Sequence, residues 1–399
     1  MNKTQNIYSS PSERTSLSDE KIKDMLKGYY SSEGPRYVTI DITNSCNLRC
    51  IGCWTYSPLL KTKPKPEWYQ NELSYETIAT LVRSLSHLGT KEIRITGGGE
   101  PLMHTKFKDI VRLIKKKGIS CDLTTNFTLM TKNMIDFLLD IGIDNITASI
   151  WSADETSYEE QHPNSGKYFH YIKENLKYLS KKRNTKNKKT KIVIANVINS
   201  KNYNRIIDIV KFDEEIGADE VYFTFHDPIK DQTQSLVPND DQRKKIEQQF
   251  IKIKEMKNSG KIKIEIDSLD KLIKISKGIG FSKAKYYSHI MPNNCFVPWV
   301  FSRIFANGDV APCCKAIKNI LGNINKSDFK NIWNSENMKK FRKLSSEMDK
   351  SIVKSVGCDK SCDNAYENNE ILKSLIEHRI HPSEIGKIKW NFMPKKGKK

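Results

Sequence analysis

The 399-residue sequence has no apolar run approaching the roughly 20 residues that a helical membrane span requires, which excludes that class of protein. Its opening segment, MNKTQNIYSSPSERTSLSDE, lacks the apolar core of a secretory signal. Acidic residues are the scarcer charge, 47 against 67 Lys+Arg, giving a formal net charge of +20. Hydrophobic residues are not scarce: at 37%, with 9% aromatics, they can fill a core and exclude a wholly disordered chain. Without an export signal the chain is expected in the cytoplasm, where thiols stay reduced. Its nine cysteines therefore read as candidate metal ligands rather than disulfides.

The lysines are spread over most of the chain, as on a solvated surface. Two runs are denser: Lys181-Lys182-Arg183 continuing to Lys191, and Lys395-Lys396-Gly397-Lys398-Lys399. No nucleic-acid-binding module accompanies them, so nucleic acid is not the expected partner.

Strand patterns at Tyr37–Thr43, Lys91–Thr96, Ile119–Asn126, Asn145–Trp151, Lys191–Val197 and Glu220–His226 are each followed by an amphipathic helical pattern. Such alternation predicts a parallel sheet in an α/β protein. Six units fall short of the eight that close a full barrel, so an open, partial (β/α)6 TIM-like barrel is expected. The expected boundaries are a polar N-terminal extension (1–35, with a short helix near Asp19–Tyr30), the barrel core (36–260), a linker (261–291), a small Cys-rich domain (292–370) and a basic tail (371–399). Within the small domain, Asn307-Gly308 predicts a tight hairpin and Asn331–Leu344 a helix.

The first cysteine group, Cys46-Asn-Leu-Arg-Cys50-Ile-Gly-Cys53, directly follows the first strand, at the end where barrel enzymes collect catalytic residues. Three thiolates so spaced can grip three corners of an iron–sulfur cube and leave one iron open. A structural zinc would need a fourth ligand from a distant residue. With Thr96-Gly97-Gly98-Gly99-Glu100-Pro101 after the second strand, this loop resembles the signatures of the radical S-adenosylmethionine (SAM) superfamily, over about residues 36–230. The resemblance implies a 4Fe-4S cluster on Cys46, Cys50 and Cys53 that binds SAM and cleaves it reductively to a 5′-deoxyadenosyl radical. It also implies SAM contacts from Gly97, Gly98, Gly99 and Glu100, from Asn126 beside Thr125, from Ser149 and, more weakly, from Asn196. Where the family has an aromatic residue before the third cysteine, this chain has Gly52, which leaves Trp54 as the candidate apolar wall for adenine.

The second group comprises Cys295, Cys313, Cys314, Cys358 and Cys362 and resembles the auxiliary-cluster domain of that family, called SPASM, or twitch in its reduced form. Five cysteines instead of seven imply one auxiliary 4Fe-4S cluster, most simply on Cys295, Cys313, Cys358 and Cys362. Cys314 is the alternative to Cys313, and a four-cysteine zinc ribbon the alternative to iron. Cys121 reads as a core thiol, or as a hydrogen-atom donor if it faces the barrel interior. His162 and His226-Asp227 lie where acid–base chemistry is possible.

The single-cluster pattern resembles enzymes that oxidise a small polar molecule, carbohydrate-like or an aminocyclitol. A small-molecule substrate and a flavodoxin- or ferredoxin-like electron donor are then the expected partners. The alternative is radical modification of a peptide or protein side chain. Some 36 residues precede the first strand, fewer than the roughly eighty of the leader-binding domain that such enzymes often carry. A zinc-stabilised nucleic-acid binder is the third reading.

Overall fold

Alternation along β1 (Tyr37–Asp41) sets the plan of the core. Val38 and Ile40 pack under helices, and Tyr37, Thr39 and Asp41 point to the opposite face. The computed structural model describes residues 17–266, 268–277, 294–358, 362 and 364–385. Five further strands lie parallel to β1 in chain order: β2 (Glu92–Thr96), β3 (Ser120–Thr125), β4 (Asn145–Ser149), β5 (Lys191–Ile198) and β6 (Glu220–Phe225). Their register aligns Ile40, Ile95, Leu123, Ile146 and Ile192 in one buried row. Each such side chain contributes about 1.5–3 kcal/mol by leaving water. On the inner face the same register aligns Thr39, Arg94, Asp122, Asn145 and Lys191, a polar row. Cys121 pairs with Ile93 and packs with the helix layer, so it is a core thiol and not an inward-facing donor.

The helices are α1 (Asp19–Lys27), α2 (Pro66–Tyr69), α3 (Tyr75–His87), α4 (Phe107–Lys116), α5 (Lys132–Ile141), α6 (Glu155–Gln161), α7 (Phe169–Thr185), α8 (Ile206–Glu215) and α9 (Asp240–Asn258). Local signals place their ends. The Ser74 hydroxyl accepts from Thr77 N to start α3, and Gly142 at φ +72° stops α5.

The sheet extends beyond six strands at both edges. Past β6, β7 (Glu265–Ile266) continues the parallel order and α10 (Leu269–Ser276) follows it, so the stretch expected as linker carries a strand and a helix. A two-residue strand is too short to show periodicity. At the other edge β8 (Phe301–Ile304) pairs parallel with β1, and β9 (Asp309–Ala311) returns antiparallel around Gly308, at φ +87°. With β10 (Gly322–Asn323) this makes a single ten-stranded sheet among the described residues. The hairpin is therefore an extension of the core sheet, not a detached unit.

The single helix expected over Asn331–Leu344 is two, α11 (Phe329–Trp333) and α12 (Glu336–Ser346), divided where Ser335 caps α12. Then come α13 (Lys350–Val356) and α14 (Ala365–Glu377). Helix α14 enters the stretch expected as tail, where Ile371 and Leu375 are buried with Trp299 and Phe301. The terminal lysine run lies outside the described residues. Helix α1 belongs to the same cluster. Its Lys21 donates from Nζ to the carbonyls of Glu33, Gly34 and Trp299 at 3.1, 2.5 and 3.0 Å. Burial and the charge of buried Arg342 push Lys21 down to about 7. No described helix is long and apolar enough to cross a membrane.

Candidate functional site

Beyond β1 the chain is held by a short bridge, Thr43 to Glu72, and by the Asn44 amide donating to Asn71 O at 2.8 Å. The cysteine loop that follows rests on the glycine segment after β2. Gly99 N donates to Thr43 O at 3.2 Å, and Glu100 N to Ser45 O at 2.8 Å. A Cβ on Gly99 would lie 2.0 Å from Ser45 O, and one on Gly98 2.1 Å from Asn44 Oδ1. Gly99 is required because two backbones meet there with no room for a side chain, and at Gly98 the space is filled by the Asn44 and Trp68 side chains. Tyr56, Trp68 and Tyr69 brace the loop edge to face, and the Tyr56 hydroxyl donates to Asn44 O at 2.6 Å.

Within the loop the three thiols share one electrostatic neighbourhood. Burial pushes Cys46 up to about 11 and Cys50 well above its ordinary value, and negative charge on Cys53 adds to both. The Thr55 and Tyr56 amides point at Cys53 Sγ, at 3.5 and 3.2 Å. His162 Nδ1 lies 3.0 Å from Cys50 Sγ, and its Nε2 lies 2.9 Å from Ile150 O. Burial holds this imidazole neutral, at about 4, so Nε2–H donates to the carbonyl and Nδ1 accepts from the thiol. Tyr158 and Trp151 flank the ring at 4.4 and 5.2 Å between centroids. Three thiols in one electrostatic neighbourhood, with N–H donors aimed at Cys53, have the donor chemistry for a multivalent cationic group that replaces their protons.

The other expected SAM contacts divide. Glu100 is buried and turned inward. Its Oε1 accepts from Leu102 N and the Thr125 hydroxyl, at 3.1 and 2.6 Å, and its Oε2 from Asn126 N at 2.7 Å. Its carboxylate is thus a brace between the β2 and β3 loops. Asn126 also ties the cysteine loop down, donating to Asn47 Oδ1 at 2.9 Å. Ser149 lies on the inner face and accepts from Trp151 Nε1 at 2.9 Å. Asn196 is buried on the helix side, where it accepts from Trp151 N at 2.9 Å and donates to Asp213 at 3.0 Å. It positions Trp151, with one bond at each end of its amide.

Trp54 is 47% exposed and covered by Lys315 Nζ, 4.5 Å from its ring centroid, so it is not an apolar wall. The space beside Gly52 is taken by Trp151 and His226, whose nearest atoms would lie 3.4 and 3.1 Å from a Cβ there. Trp151 holds φ +65°, a strained value for a bulky residue. Sequence reasoning missed it, since a tryptophan ending a strand pattern reads as core. His226 is also fixed, with Nε2 3.0 Å from the Thr233 hydroxyl.

The second thiol group lies by the opposite end of β1. Burial pushes Cys295 up to about 12 with a contribution from Cys358, and pushes Cys313 up with contributions from Cys295 and Cys314. Cys314 also acts on Tyr37, the first residue of β1. Cys295 N donates to Ser345 O at 3.0 Å, which sets it against α12. Cys362 follows residues outside the description. A five-residue strand spans roughly 17 Å, so β1 separates the two thiol groups by a fixed length.

The profile of the radical SAM superfamily matches residues 40–213, and that of an iron–sulfur cluster-binding domain, SPASM, matches residues 295–363. The chain belongs to the radical SAM superfamily. As such it carries a 4Fe-4S cluster, SAM and auxiliary iron–sulfur binding in its SPASM domain. It is similar to the tungsten-containing aldehyde ferredoxin oxidoreductase cofactor-modifying protein of Pyrococcus furiosus, 26% identical over 46% of this chain and 49% of that one. The chain thus spans about half the length of that relative. It is also similar to the AdoMet-dependent heme synthase of Methanosarcina barkeri, 25% identical over 78% of this chain and 85% of that one. Among solved structures, Streptococcus suis SuiB bound to precursor peptide SuiA superposes with a TM-score of 0.61 at 18% identity, covering 86% of this chain and 74% of that one. At this identity the likeness is one of fold.

Proposed function

We propose that this radical SAM enzyme modifies a peptide or protein side chain. Cys46, Cys50 and Cys53 hold the SAM-binding cluster, and Cys295, Cys313, Cys358 and Cys362 hold one auxiliary cluster. The observation that carries the substrate class is the likeness over 86% of the chain to a fold solved with a precursor peptide. The carbohydrate-like substrate expected from the cysteine count finds no support among the relatives. When bound, the reduced cluster and SAM supply a 5′-deoxyadenosyl radical able to take hydrogen from an unactivated carbon.

The chain's own residues supply position. Backbone from Gly97 to Gly99 presents the edge on which the methionine part of SAM rests, and Glu100 keeps that edge rigid by bracing β3. Ser149 offers an inner-face hydroxyl oxygen. Arg94, between Glu92 and Asp122, gives the inner face a fixed charge pattern that orients a polar backbone. A net charge of +20 suits docking of an acidic flavodoxin- or ferredoxin-like electron donor.

The test uses anaerobic, reduced enzyme with SAM and perdeuterated bacterial extract, separated into a peptide fraction and a small-molecule fraction. Deuterium should enter 5′-deoxyadenosine from the peptide fraction. A cofactor precursor is the second reading, favoured by the 85% span of the heme synthase. Deuterium arriving only from the small-molecule fraction would establish that reading and overturn the first.

A further inference from the structure

The first cysteine loop borders two different parts of the molecule. Its opening residues, Thr43 to Ser45, rest on the glycine edge through Gly99 N and Glu100 N. Its later residues border a cavity of about 620 Å³. Ile51, which lies between Cys50 and Cys53, forms one wall, with Leu59, Glu160, Lys201, Leu236 and Val237 around it. None of the lining residues lies on a strand. They come from the cysteine loop, α6, the connections beyond β5 and β6, and the start of α9. The cavity is thus a feature of the loops, distinct from the inner strand face that carries Ser149 and Arg94.

The chain leaving this cavity carries positive charge without partners. Leu59 is 38% exposed and begins the segment Leu59-Leu-Lys-Thr-Lys-Pro-Lys-Pro66, along which Lys61, Lys63 and Lys65 alternate and are exposed. Lys63 and Lys65 each precede a proline, which keeps them extended, and Lys65 holds φ −62° and ψ 152°. The Lys61 and Thr62 amides both donate to Gln232 Oε1, at 2.8 and 3.0 Å, and pin the segment to the β6–α9 connection. Among the described residues no carboxylate lies within ion-pair distance of Lys61, Lys63, Lys65 or Lys201. On the adjoining start of α9 the charges are matched instead, Asp240 with Arg243 and Asp241 with Lys244. The unmatched lysines at or next to the cavity outnumber the nearby acidic residues Glu67 and Glu160.

Reductive cleavage of SAM consumes an electron that must be delivered to the cluster on Cys46, Cys50 and Cys53. In the reading above, SAM and substrate meet at the glycine edge and the inner face, which leaves the Ile51 side of the loop for electron entry. A pinned segment of unmatched lysines attracts an acidic protein surface, and the open apolar wall beside it gives that surface a dry centre to pack on. We propose that the Leu59–Pro66 segment and the cavity beside Ile51 form the docking surface for a small acidic electron-carrier protein of the flavodoxin type. This rests on the electron-donor reading given under the proposed function. Carboxylates of the carrier meet Lys61, Lys63, Lys65 and Lys201, and its apolar centre covers Leu59 and Ile51. One electron leaves the carrier's reduced flavin and enters the oxidised cluster, and no bond in this chain forms or breaks. The lysines act on encounter and orientation, and the apolar wall acts on lifetime.

The first measurement needs neither substrate nor turnover. Oxidised flavodoxin is mixed with holoenzyme carrying oxidised clusters, and association is followed by stopped-flow flavin fluorescence at low and at physiological ionic strength. The triple variant Lys61→Gln, Lys63→Gln, Lys65→Gln is expected to lower the association rate about tenfold at low ionic strength and to flatten its salt dependence. A control, Lys261→Gln, Lys263→Gln, Lys271→Gln, removes the same charge from exposed positions beyond the far end of α9. It is expected to change the rate by less than about twofold. Leu59→Ser is expected to weaken binding several-fold at both ionic strengths. A wild-type rate in the first triple variant, or an equal loss in the control, overturns the proposal and leaves only the field of the whole chain. If the first triple variant loses iron, carbodiimide cross-linking of wild-type holoenzyme to flavodoxin decides. Links at Lys61, Lys63, Lys65 or Lys201 support the surface, and links only elsewhere overturn it. With dithionite as reductant, the same variant should transfer deuterium from the peptide fraction as wild type does. Loss of that transfer would make the segment a peptide site and overturn the proposal. The deuterium experiment on wild type tests the substrate class separately, so either reading can fail while the other stands.

Discussion

The two thiol groups are assembled in opposite ways. Cys46, Cys50 and Cys53 sit within one loop of eight residues, and only their support comes from elsewhere: the glycine edge, His162 and the aromatic brace. Cys295, Cys313 and Cys358 come from before β8, after β9 and after α13, and are gathered by a hairpin and helices spread over more than sixty residues. A local group can be recognised by spacing because a short loop has few ways to place its side chains. A dispersed group exists only once its framework has folded. The first should thus respond to loss of a ligand and to damage in the glycine edge directly beneath it, while the second should respond to loss of a ligand and to damage anywhere in its dispersed framework.

The largest expected contrast is between ligands. Cys50→Ala should lower SAM cleavage by at least ~100-fold while auxiliary-cluster absorbance remains. Cys358→Ala should remove about half of the iron and leave 5′-deoxyadenosine release within about fivefold of wild type. Matching losses in the two variants would erase the distinction.

Framework glycines sharpen it further. In Gly99→Ala the new Cβ would lie 2.0 Å from the Ser45 carbonyl oxygen, a backbone atom, and we expect about 2–4 kcal/mol of destabilisation with reduced iron in the first group only. Gly308→Ala meets the Asn325 side chain and a φ of +87°, for about 1–2 kcal/mol and reduced iron in the second group. Thermal unfolding and iron analysis of the two variants measure both effects.

Lys21 ties α1 to the framework of the second group and makes its stability depend on pH. Its folded pKa of about 7 lies below the ordinary 10.5, so between those values the unfolded chain holds a proton that the native chain has released. This contribution to stability should rise with pH from about 7 to 10.5 and be absent below 7. Lys21→Met should lose that rise and cost about 1–3 kcal/mol through loss of the bonds to the Gly34 and Trp299 carbonyls, Glu33 O keeping Ser31 and Trp333 as donors. Urea unfolding at pH 6.5 and 9.5 would show whether the two proteins keep the same pH dependence.

The smallest effect concerns the first group. His162→Phe should retain iron and move the reduction potential of the SAM-binding cluster, because the ring nitrogen 3.0 Å from Cys50 Sγ is replaced by an apolar edge. A redox titration followed by electron paramagnetic resonance would detect it. An unchanged potential would assign His162 to packing alone.

Short-range chemistry determined a good part of this protein. Period-two and period-3.6 patterns placed β1 to β6 and their helices, because burial of one face is written into consecutive residues. The Cys46–Cys53 spacing and the glycine run after β2 announced the family for the same reason. Tertiary structure decided the rest. It turned Glu100 inward to brace β3, set Asn196 behind Trp151, filled the space at Gly52 from β4 and β6, and joined the hairpin to β1. It also brought Lys315 to Asp227 and His162 to Cys50, 88 and 112 residues apart. Each of those contacts depends on which strands become neighbours in the sheet and on what their packing leaves open, which no stretch of neighbouring residues encodes.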